Sequence, residues 1–400
     1  MARFVVIPRV ASDVLLGTPT KRLRPQERLT RSRDLVVARS DASAVKELER
    51  WLTERSDLVP AFCRETYRRT GTTLLDLNEH DPCELLRELD VEVVPDLDLP
   101  TSTSVLLGSA TAAPDPAGLW HLERIGLTAK RANGTARDGG SVTVAVLDSG
   151  VDEAHPDLLG RVDEAVARAA NGEFIREAES RDEHGHGTSI AGLIAGTHTG
   201  VAPAARIVPM RTTLAQRTSL GELLVGWLPW LLTNPEVDIV NLSLGLRRGA
   251  FTDGQLLAIE SVFAQLLEVG ILPIAAVGNE GAGVASVPAA LDAVVAVGAS
   301  NAHDLVWSSS GSGPGLRAGD PTVPSLLAPG VRVTSTAAGG GYRTWSGSSQ
   351  AAAVTSGIAA VLLDEAQDLT VNELRHELSA RAKPLEAASL ERQGRGIIGL

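Results

Sequence analysis

Read for its apolar and polar positions, the chain falls into two kinds of text that meet near residue 118. Downstream, nearly continuous apolar runs recur at 142–147, 205–210, 237–242, 271–277 and 293–298, with helical stretches around 223–232 and 255–269 between them. Runs of this kind are strands buried on both faces. They predict a parallel sheet covered by helices, an α/β domain over 119–400. Function in such sheets collects in loops at the strand C-terminal ends. Upstream the runs are shorter. Residues 1–9 read as a strand, followed by a basic, polar arm, together making a segment 1–33. Residues 35–38 predict a strand, and 43–55 a helix with Val45, Leu48, Trp51 and Leu52 on its apolar face. Residues 73–77 and 91–95 predict two further strands. Asn78 or Asp81 is placed to cap a helix with Pro82 in its first turn, running through Leu85, Leu86 and Leu89. Strands interleaved with two helices predict a small α+β domain of split βαβ, ferredoxin-like type over 34–100. Residues 101–118, rich in Ser, Thr, Ala, Pro and Gly, read as a linker and a possible processing site.

Composition narrows the classes. A chain of 400 residues that is 44% hydrophobic and 22% charged buries a large core, and no internal repeat is visible. A net charge of −12 argues against nucleic acid or an anionic membrane as the partner. No apolar run reaches membrane-spanning length; the one around 223–232 is short and carries Pro229. The N-terminus lacks the apolar length and small-residue cleavage site of a signal peptide, so a cytoplasmic protein is expected, with secretion by another route left open. Cys63 and Cys83 form no CxxC pair and read as two buried thiols or a single bridge.

Candidate chemistry stands at the strand ends and helix starts. Asp148 directly follows the 142–147 run, where a carboxylate can be held dry and accept a hydrogen bond from a histidine. Strand-end Asp residues also make turns and caps. His186 opens a predicted helix containing Ala191, Gly192, Ala195 and Gly196. Glycine inside a helix costs about 1 kcal/mol against Ala, so a second backbone is expected to come close. His184 and His186 are also a possible metal pair, but no third ligand set stands nearby, and neither a metal nor another cofactor is expected. Asn279, after Gly278, can offer its side-chain N–H to an oxyanion or simply make a turn. Ser348 and Ser349 precede a helix whose small face is Ala351, Ala352, Ala353, Gly357 and Ala360. A serine there is either a cap or a nucleophile favoured by free N–H groups and the helix dipole. If the two small-faced helices pack together, His186 and Ser349 meet at their N-terminal ends.

Taken in order, Asp148, His186, Asn279 and Ser349 each sit inside text that resembles the subtilisin family of serine peptidases. That text is Asp148-Ser149-Gly150-Val151-Asp152, His155-Pro156-Asp157-Leu158, Gly185-His186-Gly187-Thr188, Asn241-Leu242-Ser243-Leu244-Gly245, Gly278-Asn279-Glu280-Gly281 and Gly347-Ser348-Ser349, within a similarity over about 119–400. The resemblance implies a three-layer α/β fold and a serine endopeptidase acting on protein or peptide. It implies Ser349 as nucleophile, His186 as general base, Asp148 as its orienting partner, and Asn279 with the Ser349 N–H as oxyanion donors. It implies that Ser243, Leu244 and Gly245, with Ala275, Ala276, Val277 and Gly278, wall the first specificity pocket, and that residues 243–245 also pair with the substrate backbone. Such walls favour an apolar residue, while Glu280 at the mouth can admit a basic one.

The first domain looks like a subtilisin-type propeptide, an intramolecular inhibitor of a zymogen. The alternatives are a permanent regulatory domain, a dedicated processor of one partner protein, or a subtilisin-like fold serving as a non-catalytic binding module. The chain departs from the family where Ser348, Gln350, Ala353 and Val354 replace the usual Thr, Met, Pro and His, where Ser189 replaces a second His, and where Pro229 interrupts a helix. The segment 196–203 has no Asn-rich calcium loop.

Overall fold

The computed structural model describes residues 2–9, 16–40, 42–55, 72–77, 86–100, 104–168, 174–177, 180–212, 217–316 and 323–400. Cys63, Cys83 and most of the helix expected after Asn78 or Asp81 lie outside the described residues.

The N-terminal unit contains β1 (Ala2–Pro8), α1 (Pro25–Ser40), α2 (Ser43–Glu54), β2 (Thr73–Leu77) and β3 (Val91–Pro95). The three strands form an antiparallel sheet in the order β2-β1-β3. Val5, Val6, Ile7, Leu74, Leu75 and Val94 are buried with Val45, Leu48 and Leu52 of α2, as the apolar spacing of that helix predicts.

Two expectations are corrected here. Residues 35–38 belong to α1, not to a strand. The buried positions of α1 are Arg28, Ser32, Leu35 and Arg39, a helical spacing hidden by the polarity of three of its members. Residues 1–33 are likewise no separate segment, because β1 is the middle strand of the small sheet and α1 runs across the 33/34 boundary.

Two strands follow, β4 (Asp98–Pro100) and β5 (Val105–Thr111). The large domain then contributes β6 (Thr143–Asp148), β7 (Ala165–Arg168), β8 (Phe174–Glu177), β9 (Arg206–Arg211), β10 (Arg217–Ser219), β11 (Ile239–Leu242), β12 (Leu246–Arg247), β13 (Leu272–Ala276), β14 (Ser286–Val287), β15 (Val295–Ser300), β16 (Leu326–Pro329), β17 (Val331–Thr336) and β18 (Tyr342–Ser346). Eight of these form one sheet, ordered β16-β15-β13-β11-β6-β9-β7-β8 and parallel except at β8. This is the expected α/β architecture, and the five predicted runs supply β6, β9, β11, β13 and β15.

Helices α3 (His186–Ala195), α4 (Leu228–Thr233), α5 (Asp253–Glu268) and α6 (Ser348–Glu365) accompany the sheet. Thr252 and Gln255 start α5 with a reciprocal capping box. Every residue of α3, and α6 from Ser348 to Leu363, is buried, so both are interior helices, and they pack against each other as expected. Their glycines, however, make room for third parties. A Cβ on Gly192 would lie 2.1 Å from Thr336 Oγ1 of β17, and one on Gly357 would lie 2.6 Å from the Val201 side chain. Pro229 lies within a continuous helical run from Leu220 to Thr233, just after a π-helical stretch Leu223–Trp227 whose widened turn is where the missing donor is accommodated.

The linker reading of 101–118 is corrected as well. β4 pairs antiparallel with β10, and β5 pairs antiparallel with β18, placing Val105 opposite Ser346. All of β5 except Leu107 is exposed, so it carries no buried face and its composition imitates a free linker. Among the described residues no helix is long and apolar enough to cross a membrane.

Candidate active site

The parallel register brings the ends of β6, β11 and β13 together at one edge of the sheet, with Leu147 beside Leu242 and Leu242 beside Ala275. Asp148 is the last residue of β6 and is fully buried. Its Oδ1 accepts from the Ser149 N–H at 2.8 Å, and its main-chain oxygen accepts from Thr212. His186, the first residue of α3, is also buried, and its Nδ1 lies 2.8 and 2.9 Å from the two Asp148 carboxylate oxygens. A carboxylate only accepts, so Nδ1 carries the proton and Nε2 of the neutral ring is an acceptor. Gly187 lets the helix start come this close. A Cβ there would lie 2.1 Å from Gly150 O.

Asp182 builds the start of α3, a role the sequence reading missed. Its Oδ1 accepts from the Gly185 and His184 N–H groups at 2.8 and 3.0 Å and from Ser149 Oγ at 2.9 Å. Its Oδ2 accepts from the Thr188 N–H and hydroxyl at 2.8 and 2.6 Å. An Asp ahead of a glycine and a helix is a capping signal, so this role was available in the text. Burial disfavours the charged imidazolium of His186, but the charge and hydrogen bond of Asp148 and the charge of Asp182 outweigh it and hold the pKa above 6.5. His184, on the exposed side of His186, is pushed the other way by partial desolvation and by that neighbour. Among the described residues no group of three or more His, Cys, Asp or Glu side chains is placed to hold a metal ion.

Ser349 lies in the first turn of α6, fully buried, and its hydroxyl has no hydrogen-bond partner among the described residues. The partner of His186 Nε2 is instead Ser104 Oγ, at 3.1 Å. A linker serine has no signature in sequence, and this contact was not foreseen. Asn279 follows Gly278, which needs its left-handed φ of +94° and the absence of a Cβ that would lie 2.4 Å from Ser286 Oγ. Asn279 Oδ1 accepts from the Ser348 N–H and the Ser348 hydroxyl, both at 2.9 Å. Because a backbone N–H can only donate, the oxygen is fixed on that limb and the Nδ2 amide on the other. Ser348, expected only as a loop neighbour, is thus the tether of Asn279. Ser189 is buried with its hydroxyl on His186 O. Gln350, Ala353 and Val354 are buried in α6, and neither amide atom of Gln350 finds a partner among the described residues.

The expected wall residues Ser243, Leu244, Ala275, Ala276 and Val277 are buried in the adjacent turns and strand ends. Ser243 Oγ bonds Asn241, whose Nδ2 reaches Ser356 of α6 at 3.0 Å and ties the strand end to the serine-bearing helix. Gly245 donates its N–H to Pro100 O at 3.1 Å. Glu280 is exposed and accepts from the Asn279 N–H at 2.9 Å. The chain's own β4 fills the slot between β10 and Gly245, with Leu99 opposite Thr218 and only 1% exposed. Leu97 O and Asp96 Oδ1 extend that grip to the Leu220 and Gly221 N–H groups.

Comparison with known proteins follows the same residues. The subtilase family model matches 139–396. The chain is 31% identical over 343 residues to the subtilisin-like protease PopC of Myxococcus xanthus, covering 78% of this chain and 70% of that one. It is 30% identical over 271 residues to subtilisin E of Bacillus subtilis, covering 66% of this chain and 65% of that one. It is 30% identical over 379 residues to an alkaline protease of Shouchella clausii, covering 90% of this chain and 92% of that one.

The site's electrostatics are open to direct titration. Followed by NMR, the His186 ring is expected to titrate with a midpoint above 6.5. In Asp182→Asn the loss of one anion is expected to move the midpoint to lower pH, because less charge then favours the imidazolium. An unchanged midpoint would remove Asp182 from the site's electrostatics.

Proposed function

The chain belongs to the subtilase family and is a subtilisin-like serine peptidase, and from that premise we propose that Ser349, His186 and Asp148 form its catalytic triad and that residues 1–103 hold it as a zymogen. Ser349 Oγ attacks the peptide carbonyl while His186 Nε2 takes its proton, and the acyl-enzyme forms as the protonated ring gives that proton to the leaving amine. Water then repeats the sequence in reverse. Asp148, buried on Nδ1, fixes the tautomer that leaves Nε2 free to accept and stabilises the imidazolium. The Nδ2 of Asn279 and the Ser349 N–H at the start of α6 stabilise the oxyanion, aided by the positive end of the helix.

The observation that carries the zymogen reading is the occupant of the cleft. β4 lies in it as an added strand, the manner in which peptidases grip substrates, and four residues later Ser104 occupies His186 Nε2. Val105 then continues on β18, the strand that leads into Ser349. Pro100 on Gly245 and Ser104 on His186 flank the site, so self-cleavage is assigned between them. Leu99, sealed from solvent in this slot, favours substrates with a large aliphatic residue at the equivalent position. A catalytically silent module of this fold would keep the same slot, but it has no need of the Asp148–His186 pair or of the tether on Asn279.

Intact mass over time decides between these readings. The wild-type chain is expected to split between Pro100 and Ser104, and Ser349→Ala is expected to remain whole; splitting of both would assign the cut to another protease. In the split enzyme, Asn279→Ala is expected to lower kcat on a short peptide amide by about 100–1000-fold with little change in KM, a loss known for the oxyanion asparagine of this family. A loss below tenfold would place the oxyanion elsewhere.

A further inference from the structure

The basic arm and the first turns of α1 are not used by the site, yet they are bound with care. Arg22 Nη2 and Arg28 Nη2 both donate to Asp238 Oδ1, at 3.1 and 2.6 Å, and the Asp238 side chain is only 8% exposed. Asp238 Oδ2 accepts from the Thr143 N–H at 3.1 Å. Arg28 Nη1 also donates to Val237 O, and Arg22 Nη1 to Leu363 O at 3.1 Å, in the last turn of α6. Nearby, Arg31 donates to Glu268 O at the end of α5, and Glu268 Oε2 accepts from the Leu16 N–H at 2.8 Å. What the surface offers the three arginines is acceptors: the Asp238 carboxylate, a carbonyl just ahead of β11, and carbonyls at the negative ends of α5 and α6. That chemistry suits guanidinium groups, which donate in a planar fork and accept nothing.

The position of this socket is what gives it a consequence. Asp238 precedes β11 and Ser243 follows it, so these two residues are about 17 Å apart at about 3.3 Å per residue. The socket therefore sits at the edge of the sheet opposite the active site. The N-terminal segment is held at both edges, by β4 in the cleft and by Arg22 and Arg28 behind it.

We propose that this rear face of the peptidase domain is a second anchor for the N-terminal segment, selective for its arginines, and that its hold sets how long the cut segment remains on the enzyme. The proposal rests on the zymogen reading above. Cleavage between Pro100 and Ser104 breaks the covalent link but touches neither Asp238 nor its guests. When β4 leaves the cleft, the arm keeps it at high local concentration and it returns. Two linked weak sites of this kind hold about 100–10,000-fold better than either alone. A competing arginine-bearing peptide is thus an activator.

The test compares the full wild-type chain with Arg22→Ala/Arg28→Ala, following intact mass, size-exclusion elution and hydrolysis of a fluorogenic peptide together. Both chains are expected to be cut at the same rate, since the arm is remote from the triad. The wild-type fragment is expected to co-elute with the enzyme and keep it latent, while the variant's fragment separates and activity appears at least tenfold sooner. A synthetic peptide of residues 16–40, added in excess to the cut wild-type protein, is expected to bring forward activity in the same way and needs no variant to fold. Equal retention of both fragments, or no effect of the peptide, overturns the proposal. If neither chain cuts itself, the self-cleavage reading fails on its own. The exposed strand β5 is then opened with thermolysin, and the elution comparison decides retention by the same criteria.

Discussion

A neutral imidazole has one accepting nitrogen, and it serves one hydroxyl at a time. In this protein the nitrogen is Nε2 of His186, and the hydroxyl on it belongs to Ser104 rather than to Ser349. Much of the architecture serves this contact. Asp148 at the end of β6 holds the opposite face of the ring, and Asp182 fixes the helix start that carries it. β4 and β5 deliver Ser104 by pairing with strands on either side of the cleft. On the proposed roles, the result is a site whose parts are assembled while Ser349 is left without its base.

The large domain was legible in sequence because its strands are buried on both faces and its helices carry unusual runs of small residues. Those features put Asp148, His186, Asn279 and Ser349 at strand ends and helix starts before any coordinates are considered. Elements held by partners distant in sequence were not legible. β5 has no buried face and owes its existence to β18, more than two hundred residues later, so its composition reads as a linker. The buried face of α1 is Arg28, Ser32, Leu35 and Arg39, and polar residues on a buried face defeat any reading of hydrophobic periodicity. Arg28 is inside because Asp238 and the Val237 carbonyl await it, which no local pattern reveals. The glycines of α3 and α6 were correctly read as demanding close packing but assigned to the wrong neighbour. A missing Cβ shows that something approaches, not what it is.

Ser348 and Gln350 show how departures from a family pattern are absorbed. Ser348 keeps the hydroxyl its position needs, and with its backbone N–H it pins the carboxamide of Asn279. Gln350 introduces a buried amide with no partner among the described residues, close enough that its Oε1 lies 2.7 Å from where a Cβ on Gly347 would sit. A polar group left unpaired there is costly.

Because the central claim is that the chain's own segment uncouples an otherwise complete triad, reactivity of the nucleophile itself tests it most directly. A fluorophosphonate probe labels a serine only when an adjacent base activates it. With the intact chain, kept whole by rapid handling, and with the same chain after residues up to 103 have been cut and removed, the account predicts labelling of Ser349 in the second and not in the first. Equal labelling of Ser349 in both states, or none in either, would contradict it.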